Sequence, residues 1–123
     1  MSRFVRPDTR TLTLANGDTL TVRARLTAGE VRGQYARMYA HGANGTLVRN
    51  PLLSGQGVIL AYLLDWSLRD DDGNTVPIRD LSADDLARVI DSLDLESYDE
   101  IKTVIEKHET DMLEEKKRTA PTS

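Results

Sequence analysis

The segment VILAYLLDW, residues 58–66, is the feature that most constrains how this chain folds. Coiled into a helix, it is apolar on nearly every side, so it has to be buried. Its longest apolar run, VILAYLL, is seven residues, whereas a membrane-spanning helix needs about 20. We therefore predict a helix with Asn50 as cap and Pro51 as first residue, which carries this segment through the centre of the core.

The clearest local pattern precedes this segment, in TLTLANGDTLTVR, residues 11–23. Apolar residues alternate with threonine on both sides of Asn16-Gly17, which predicts a β-hairpin with one apolar face. The apolar positions are Leu12, Leu14, Leu20 and Val22.

A capping box predicts the next helix, because Thr27 is followed three residues later by Glu30. Apolar residues at helical spacing in this helix are Val31, Tyr35 and Met38. We expect Gly42 to end the helix and residues 42–50, which are rich in glycine, to form a loop.

Two amphipathic helices are predicted after residue 80. Ser82 with Asp85 opens the first, and Ser97 with Glu100 opens the second. Their apolar stripes are Leu86, Val89, Ile90 and Leu93 in the first, and Tyr98, Ile101, Val104, Ile105, His108 and Met112 in the second.

The acidic segment DWSLRDDDGNTVPI, residues 65–78, has two interpretations. Asp70, Asp72 and Asn74 have the spacing of the first three ligands of a calcium loop, but Thr75 and Leu81 stand where that loop needs glycine and a bidentate glutamate. We favour a turn without a metal ion, with Gly73 at positive φ and alternating apolar residues as two short strands, because Asp-Gly between such residues indicates a second short hairpin.

The length of 123 residues fits one domain, which we place at 1–115, followed by a flexible polar tail at 116–123. The fold class is α+β: an N-terminal hairpin with a small bundle of about four helices. The predicted core residues are Leu60, Leu63, Leu64, Trp66, Leu86, Val89, Ile90, Ile101 and Ile105, covered on one side by Leu12, Leu14, Leu20 and Val22.

Charge is divided between the two halves of the chain. Residues 1–50 contain eight arginines and three acidic residues, for a net +5, and the remainder contains eight basic and 17 acidic residues, for a net −9. Such asymmetry suggests charged partners or contact between the halves. A pI near 5.1 does not fit nucleic-acid binding, and we expect neither a membrane nor a nucleic-acid partner.

No recognised catalytic motif is present in the sequence. The chain has no cysteine, and its two histidines, His41 and His108, lack surrounding metal-ligand spacing, so both are interpreted as structural. We expect no enzyme activity, no cofactor and no metal. The favoured function is protein binding through apolar side chains on exposed faces, and the candidate residues are Tyr39, Tyr98, Met112 and Leu113.

Three stretches carry a family resemblance: the hairpin with its LTAGE helix start, VILAYLLDWSLRDDDGNTVPI, and the closing helix that ends in EEKK. In these stretches, which cover most of the chain, the sequence resembles the tail assembly chaperones of long-tailed bacteriophages and prophages.

The resemblance implies a non-enzymatic protein of virion morphogenesis. It would act in the host bacterial cytoplasm, bind the tape measure protein, help recruit tail tube subunits around it, and be absent from the mature virion. Self-association is compatible with this role, and a longer form made by ribosomal frameshifting would extend the C-terminal EEKKRTAPTS. The alternative is a structural head-tail connector or tail completion protein that stays in the virion.

Overall fold

The computed structural model describes residues 3–41, 45–49 and 51–119. The fold is α+β, as predicted: a three-stranded antiparallel sheet, a separate two-stranded ribbon and four helices. In chain order the elements are β1 (Thr9–Thr13), β2 (Thr19–Arg23), α1 (Ala28–Met38), β3 (Tyr39–His41), β4 (Leu47–Arg49), α2 (Pro51–Tyr62), β5 (Leu63–Trp66), α3 (Ala83–Asp91) and α4 (Leu95–Thr119).

The predicted N-terminal hairpin is confirmed as strands β1 and β2, with Leu12 opposite Leu20. The connection has three residues, since the Leu14 N–H donates to the Asp18 carbonyl at 2.7 Å. Gly17 closes it with φ of 93°, a conformation that glycine adopts without steric cost. The sheet order is β1-β2-β5, so β2 is the central strand.

The acidic segment forms a turn with the same geometry as the hairpin connection. The Asp70 N–H donates to the Asn74 carbonyl at 2.9 Å, and Gly73 has φ of 79°. The pairing beyond it consists of one bridge between Arg69 and Thr75. The turn interpretation is therefore confirmed, with a minimal hairpin around it.

The apolar segment at 58–66 is helical only in its first part. Helix α2 begins at Pro51, as predicted, but it ends at Tyr62, and Leu63–Trp66 form β5 beside β2. A bulge lies in this pairing: Val22 is opposite Leu63, whereas the preceding residue, Thr21, is opposite Asp65, so Leu64 has no partner position. Because the bulge adds a residue, Leu63 and Trp66 can both be buried although they are three apart. The prediction of a continuous helix through Trp66 was wrong.

Helix α1 has the predicted capping box, with the Thr27 side chain accepting from the Glu30 N–H. The prediction that it continues to Gly42 was wrong, because the helix ends at Met38 and Tyr39 is extended. The predicted apolar stripe of α1 was also wrong at Tyr35, which is 56% exposed. The neighbouring Gln34 is the buried residue of this helix.

Two short strands, β3 and β4, follow α1. Strands β3 and β4 pair antiparallel, with Ala40 opposite Val48. The prediction of a loop over residues 42–50 was therefore wrong for Leu47–Arg49, and residues 42–44 and 50 lie outside the described residues.

Helix α3 begins as predicted, with Ser82 accepting a hydrogen bond from the Asp85 N–H. The start of α4 was predicted three residues too late. Asp94 is the capping residue, and it accepts hydrogen bonds from both the N–H and the hydroxyl of Ser97 at 2.8 Å. Both hydrogen bonds lower the pKa of Asp94, and the bond from the Ser97 N–H makes the larger contribution.

Glu100, which the sequence predicts as the capping partner of Ser97, makes a different contact in the structure. Glu100 accepts a hydrogen bond from the Ala15 N–H, 2.8 Å away, which joins the hairpin turn to α4. At its other end α4 extends to Thr119, so residues 116–119, assigned to the tail from the sequence, are helical; residues 120–123 lie outside the described residues.

The core lies between the sheet and the helices. Most predicted core residues are buried, but Leu12, Leu60, Leu64 and Val89 are only partly buried. The prediction missed Ala24, Val58, Ile59, Ala61, Tyr62 and Ile78, which are also buried.

Two glycines of α2 let its neighbours pack closely. A Cβ at Gly57 would lie 3.2 Å from the carbonyl oxygen of Gln34 in α1. At Gly55, a Cβ would lie 2.8 Å from the Tyr98 hydroxyl of α4. Helix α2 is therefore held between α1 and α4. Within residues 3–41, 45–49 and 51–119, no helix is long and apolar enough to cross a membrane.

Leu63 tests the position of β5 in the core. Leu63→Ala removes a side chain that is almost fully buried, and we expect it to lower the free energy of unfolding by about 2–5 kcal/mol. Urea denaturation followed by tryptophan fluorescence measures the change. Leu81→Ala, at an exposed leucine, is the control; equal effects of the two substitutions would contradict the burial of β5.

Candidate functional site

The four predicted partner-binding residues do not form one patch. Tyr39 begins the β3–β4 ribbon and is 40% exposed. Tyr98 and Met112 are both half-buried on α4, separated by about 21 Å along the helix axis at 1.5 Å per residue. Leu113, beside Met112, is 59% exposed. Only Met112 and Leu113 are neighbours.

Tyr98 is mainly a packing residue. Its ring packs against the core, and its hydroxyl lies over Gly55 of α2. Burial, followed by the charges of Asp91, Asp99 and Glu106, raises its pKa. The start of α4 is therefore an acidic environment.

Sequence reasoning missed several exposed apolar residues, and two of them bear on binding. Tyr35 lies next to the buried Gln34 in α1, and Leu95 is 73% exposed at the first residue of α4. The helical spacing of Val31, Tyr35 and Met38 predicts that the Tyr35 side chain faces the core, so its exposure was missed. Leu95 carried a usable signal: it immediately follows Asp94, and aspartate is a preferred N-cap residue, so Leu95 could have been assigned to the first helical position.

Helices α1 and α4 meet where the Gln34 amide donates to the Glu109 carboxylate at 3.3 Å. Tyr35 follows Gln34 in α1 and is 56% exposed, and Leu113 lies four residues after Glu109 in α4 and is 59% exposed. Met112, half-buried, is the residue before Leu113. We name Tyr35, Met112 and Leu113 the junction surface.

A polar network centred on Arg23 connects four elements of the fold. The Arg23 side chain donates to the Ala61 carbonyl at the end of α2 at 2.8 Å, and its Nε lies 2.7 Å from Glu30 Oε2. The other oxygen of Glu30 accepts from the Thr27 N–H. His108 Nε2 of α4 lies 2.9 Å from the Arg23 carbonyl oxygen, so it donates in this contact.

Tyr62 continues the network at the end of α2. Its ring meets the His108 ring edge to face, with centroids 5.6 Å apart. Burial, followed by the charge of Glu109 and a hydrogen bond to it, raises the pKa of Tyr62. A tyrosine in this environment stays protonated and serves as a hydrogen-bond donor.

The network could in principle be read as a catalytic cluster, since it contains a histidine, a tyrosine and two glutamates. Its groups are occupied with one another, and among the described residues no buried side-chain nitrogen or oxygen lacks a hydrogen-bond partner. General acid–base catalysis needs a group in reach of a substrate. The arrangement fits a structural role better than a catalytic one. Of the two histidines that the sequence analysis interprets as structural, His108 is buried in this network. The side chain of His41 lies outside what the structure describes.

A groove of about 250 Å³ lies beside this network, where the N-terminal segment passes the end of β2. Its apolar lining is Val5, Pro7 and Leu64. Its charged lining is Arg6, Asp8, Arg23, Arg25 and Glu30, and Thr9 and Thr27 complete it.

One carboxylate oxygen of the acidic turn is used by the turn itself. Asp70 Oδ1 accepts from the backbone N–H groups of Asp72 and Asn74, both at 3.0 Å. Across residues 3–41, 45–49 and 51–119, no group of three histidine or acidic residues is arranged to hold a metal ion.

Comparison of the chain with models of protein families, with curated proteins and with solved structures finds no match.

The Arg23 network generates a stability prediction. Arg23→Met keeps much of the aliphatic stem but removes the ion-pair partner of Glu30 Oε2 and the side-chain donor to the Ala61 carbonyl. We expect a loss of about 1–2 kcal/mol in unfolding free energy, because hydrogen bonds to charged groups are stronger than neutral ones but this pair is partly exposed. Arg32→Met, at an exposed arginine of α1, is the matched control in urea denaturation. Equal stability of the two variants would contradict the role of Arg23.

Calorimetric titration tests the acidic turn. We expect no saturable heat with calcium, magnesium or zinc up to about millimolar levels, because the loop lacks the ligands that close around a cation. A stoichiometric signal that disappears in Asp72→Ala would contradict this prediction.

Proposed function

We propose that the chain is a tail assembly chaperone of a long-tailed bacteriophage or prophage. In this role it binds the tape measure protein in the host cytoplasm, helps recruit tail tube subunits around it, and leaves before the virion is mature. It performs no chemistry. The proposal rests on the resemblance of the hairpin, the 58–78 segment and the closing helix, and on the surface described above.

The junction surface is the observation that carries the proposal. Tyr35 and Leu113 are both more than half exposed, on two helices joined by the Gln34–Glu109 contact. A tape measure protein is a long helical chain with apolar stripes, and such helices bind through apolar side chains spaced along an exposed face. Aromatic and aliphatic anchors of this kind contribute most of the energy of a typical interface.

Co-expression with the tape measure protein of the phage or prophage that encodes the chain tests the proposal. We expect the chain to raise that protein's solubility and to co-purify with it. The double substitution Tyr35→Ala with Leu113→Ala should weaken binding at least about tenfold, or 1.4 kcal/mol. Leu81→Ala, which removes an exposed leucine outside the junction surface, should bind like the unmodified chain.

Salt dependence separates the apolar from the charged contribution. Raising ionic strength from about 0.1 M to 1 M shortens the Debye length from roughly 10 to 3 Å. We expect binding through the junction surface to weaken only modestly. A soluble tape measure protein that shows no association even at low salt would contradict the proposal.

Purified virions distinguish a chaperone from the alternative, a head-tail connector or tail completion protein. A chaperone should be missing from mass spectra of mature particles, whereas a connector should be present in a fixed ratio to other tail proteins.

A further inference from the structure

Strand β1 forms one edge of the three-stranded sheet, and its outer side is open to solvent. The sheet order is β1-β2-β5, so β1 pairs with β2 alone. Four of the five residues of β1 are exposed, and the fifth, Leu12, is half-buried. Strand β5, at the opposite edge, has no exposed residue. The edge formed by β1 is therefore the one that another chain can reach.

The register of the hairpin identifies the backbone groups of β1 that β2 leaves unused. Directly opposite residues of an antiparallel pair alternate between hydrogen-bonded and non-hydrogen-bonded pairs. The Ala24 N–H donates to the Asp8 carbonyl at 2.9 Å, and the Leu14 N–H donates to the Asp18 carbonyl at 2.7 Å. Both pairs are directly opposite in the register. The residues of β1 that are bonded to β2 are therefore the even-numbered ones.

Thr9, Thr11 and Thr13 consequently direct their N–H and C=O groups away from β2. These groups have no backbone partner among the residues that the structure describes. A row of unpaired donors and acceptors along a sheet edge is a template for a further strand. Threonine is also enriched in strands, so the local sequence favours the extended conformation that such pairing needs.

Most features that block pairing at a sheet edge are missing from β1. Such features are proline, bulges and several charged side chains, whereas β1 has no proline, a continuous register with β2 and a single charge, on Arg10. Arg10 is exposed and makes no ion pair within the described part of the chain. Leu12, on the same face of the strand, packs against the core. Because opposite charges attract across a strand pair and like charges repel, Arg10 selects for an acidic partner.

We propose that β1 binds an extended acidic segment of another protein as a fourth, antiparallel strand of the sheet. The segment exchanges backbone hydrogen bonds with Thr9, Thr11 and Thr13, a mode of recognition known as β-strand addition. It places an apolar side chain opposite Leu12 and, two residues later, a carboxylate opposite Arg10, because alternate residues of a strand share one face. The recognised sequence pattern is an apolar residue, any residue, and an acidic residue.

Charge determines why the occupant is another protein and not a second copy. If two copies paired through β1 around Thr11, their Arg10 side chains would lie diagonally across the new strand pair. Strand β1 contains no acidic residue that would neutralise them. This inference goes beyond the proposed function and does not depend on it, since a helical tape measure protein would bind the junction surface and this partner binds as a strand.

A synthetic peptide with the core Thr-Val-Thr-Glu-Thr tests the proposal, because its valine and glutamate have the required spacing. It is titrated into the full chain from about 10 µM to 1 mM, and amide hydrogen exchange is followed by NMR. In the free protein we expect faster exchange at Thr9, Thr11 and Thr13 than at Arg10 and Leu12, whose N–H groups are bonded to β2. The peptide should slow exchange severalfold at the three threonines. If about 1 mM peptide leaves their exchange unchanged, the proposal is wrong.

Thr11→Pro tests the backbone hydrogen bonds. It removes the central outward N–H and keeps the bonds to β2, since an edge strand tolerates proline where the N–H faces solvent. We expect peptide binding at least about tenfold weaker, with circular dichroism to verify the fold.

N-methylation of the peptide tests the same bonds on the unmodified protein. Methylation of its middle threonine removes the donor that faces β1 and should weaken binding by a similar factor. Methylation of its valine, whose N–H faces away, should leave binding nearly unchanged. Equal binding of the two methylated peptides overturns the strand pairing.

A charge exchange tests the role of Arg10. Arg10→Glu should bind the peptide about threefold to tenfold more weakly, and it should bind a peptide with lysine in place of the glutamate more tightly than the unmodified chain does. Arg32→Glu, at an exposed arginine of α1, is the matched control and should bind both peptides like the unmodified chain. If Arg10→Glu shows no preference for the lysine peptide, the assigned position of the carboxylate is wrong.

The free protein distinguishes the remaining occupant, a second copy. We expect exchange at Thr9, Thr11 and Thr13 to be independent of protein concentration in the absence of peptide. Slower exchange at these three amides as concentration rises would identify a second copy on β1 and overturn the proposal. Tyr35→Ala with Leu113→Ala should bind the peptide like the unmodified chain, so this proposal and the proposed function fail separately.

Discussion

Arg23 is the residue through which the central strand is hydrogen-bonded to three helices. It lies at the end of the central strand, and its side chain satisfies a carbonyl of the last turn of α2 while pairing with the capping glutamate of α1. Its own carbonyl oxygen accepts from His108 of α4. An arginine near a helix C-terminus interacts favourably with the exposed carbonyls and the dipole there. One residue thus fixes a strand and three helices.

The position of Arg23 also explains why the apolar segment changes from helix to strand at Leu63. The Ala61 carbonyl has no helical partner once the helix ends, and the guanidinium replaces that partner. One of the four carbonyls at this helix end is thereby satisfied, and from Leu63 onward the chain pairs with β2. The bulge between Leu63 and Asp65 keeps both large side chains of β5 on the core side.

Local signals were sufficient to predict the hairpin, the caps formed by Thr27 and Ser82, and the turn at Gly73, because each depends on a short-range hydrogen bond or on a positive φ.

Other predictions failed where the structure depends on contacts between residues that are far apart in the sequence. Leu63 and Trp66 have helical spacing, and only pairing with β2 makes them a bulged strand. Gln34 was not predicted as buried, since its partner Glu109 lies 75 residues away. Asp94 and Ser97 both fit a cap; in the structure Asp94 is the cap, and Glu100, the expected partner of Ser97, accepts a hydrogen bond from Ala15 instead. For the candidate site, Leu113 was predictable as exposed, whereas Tyr35 was not.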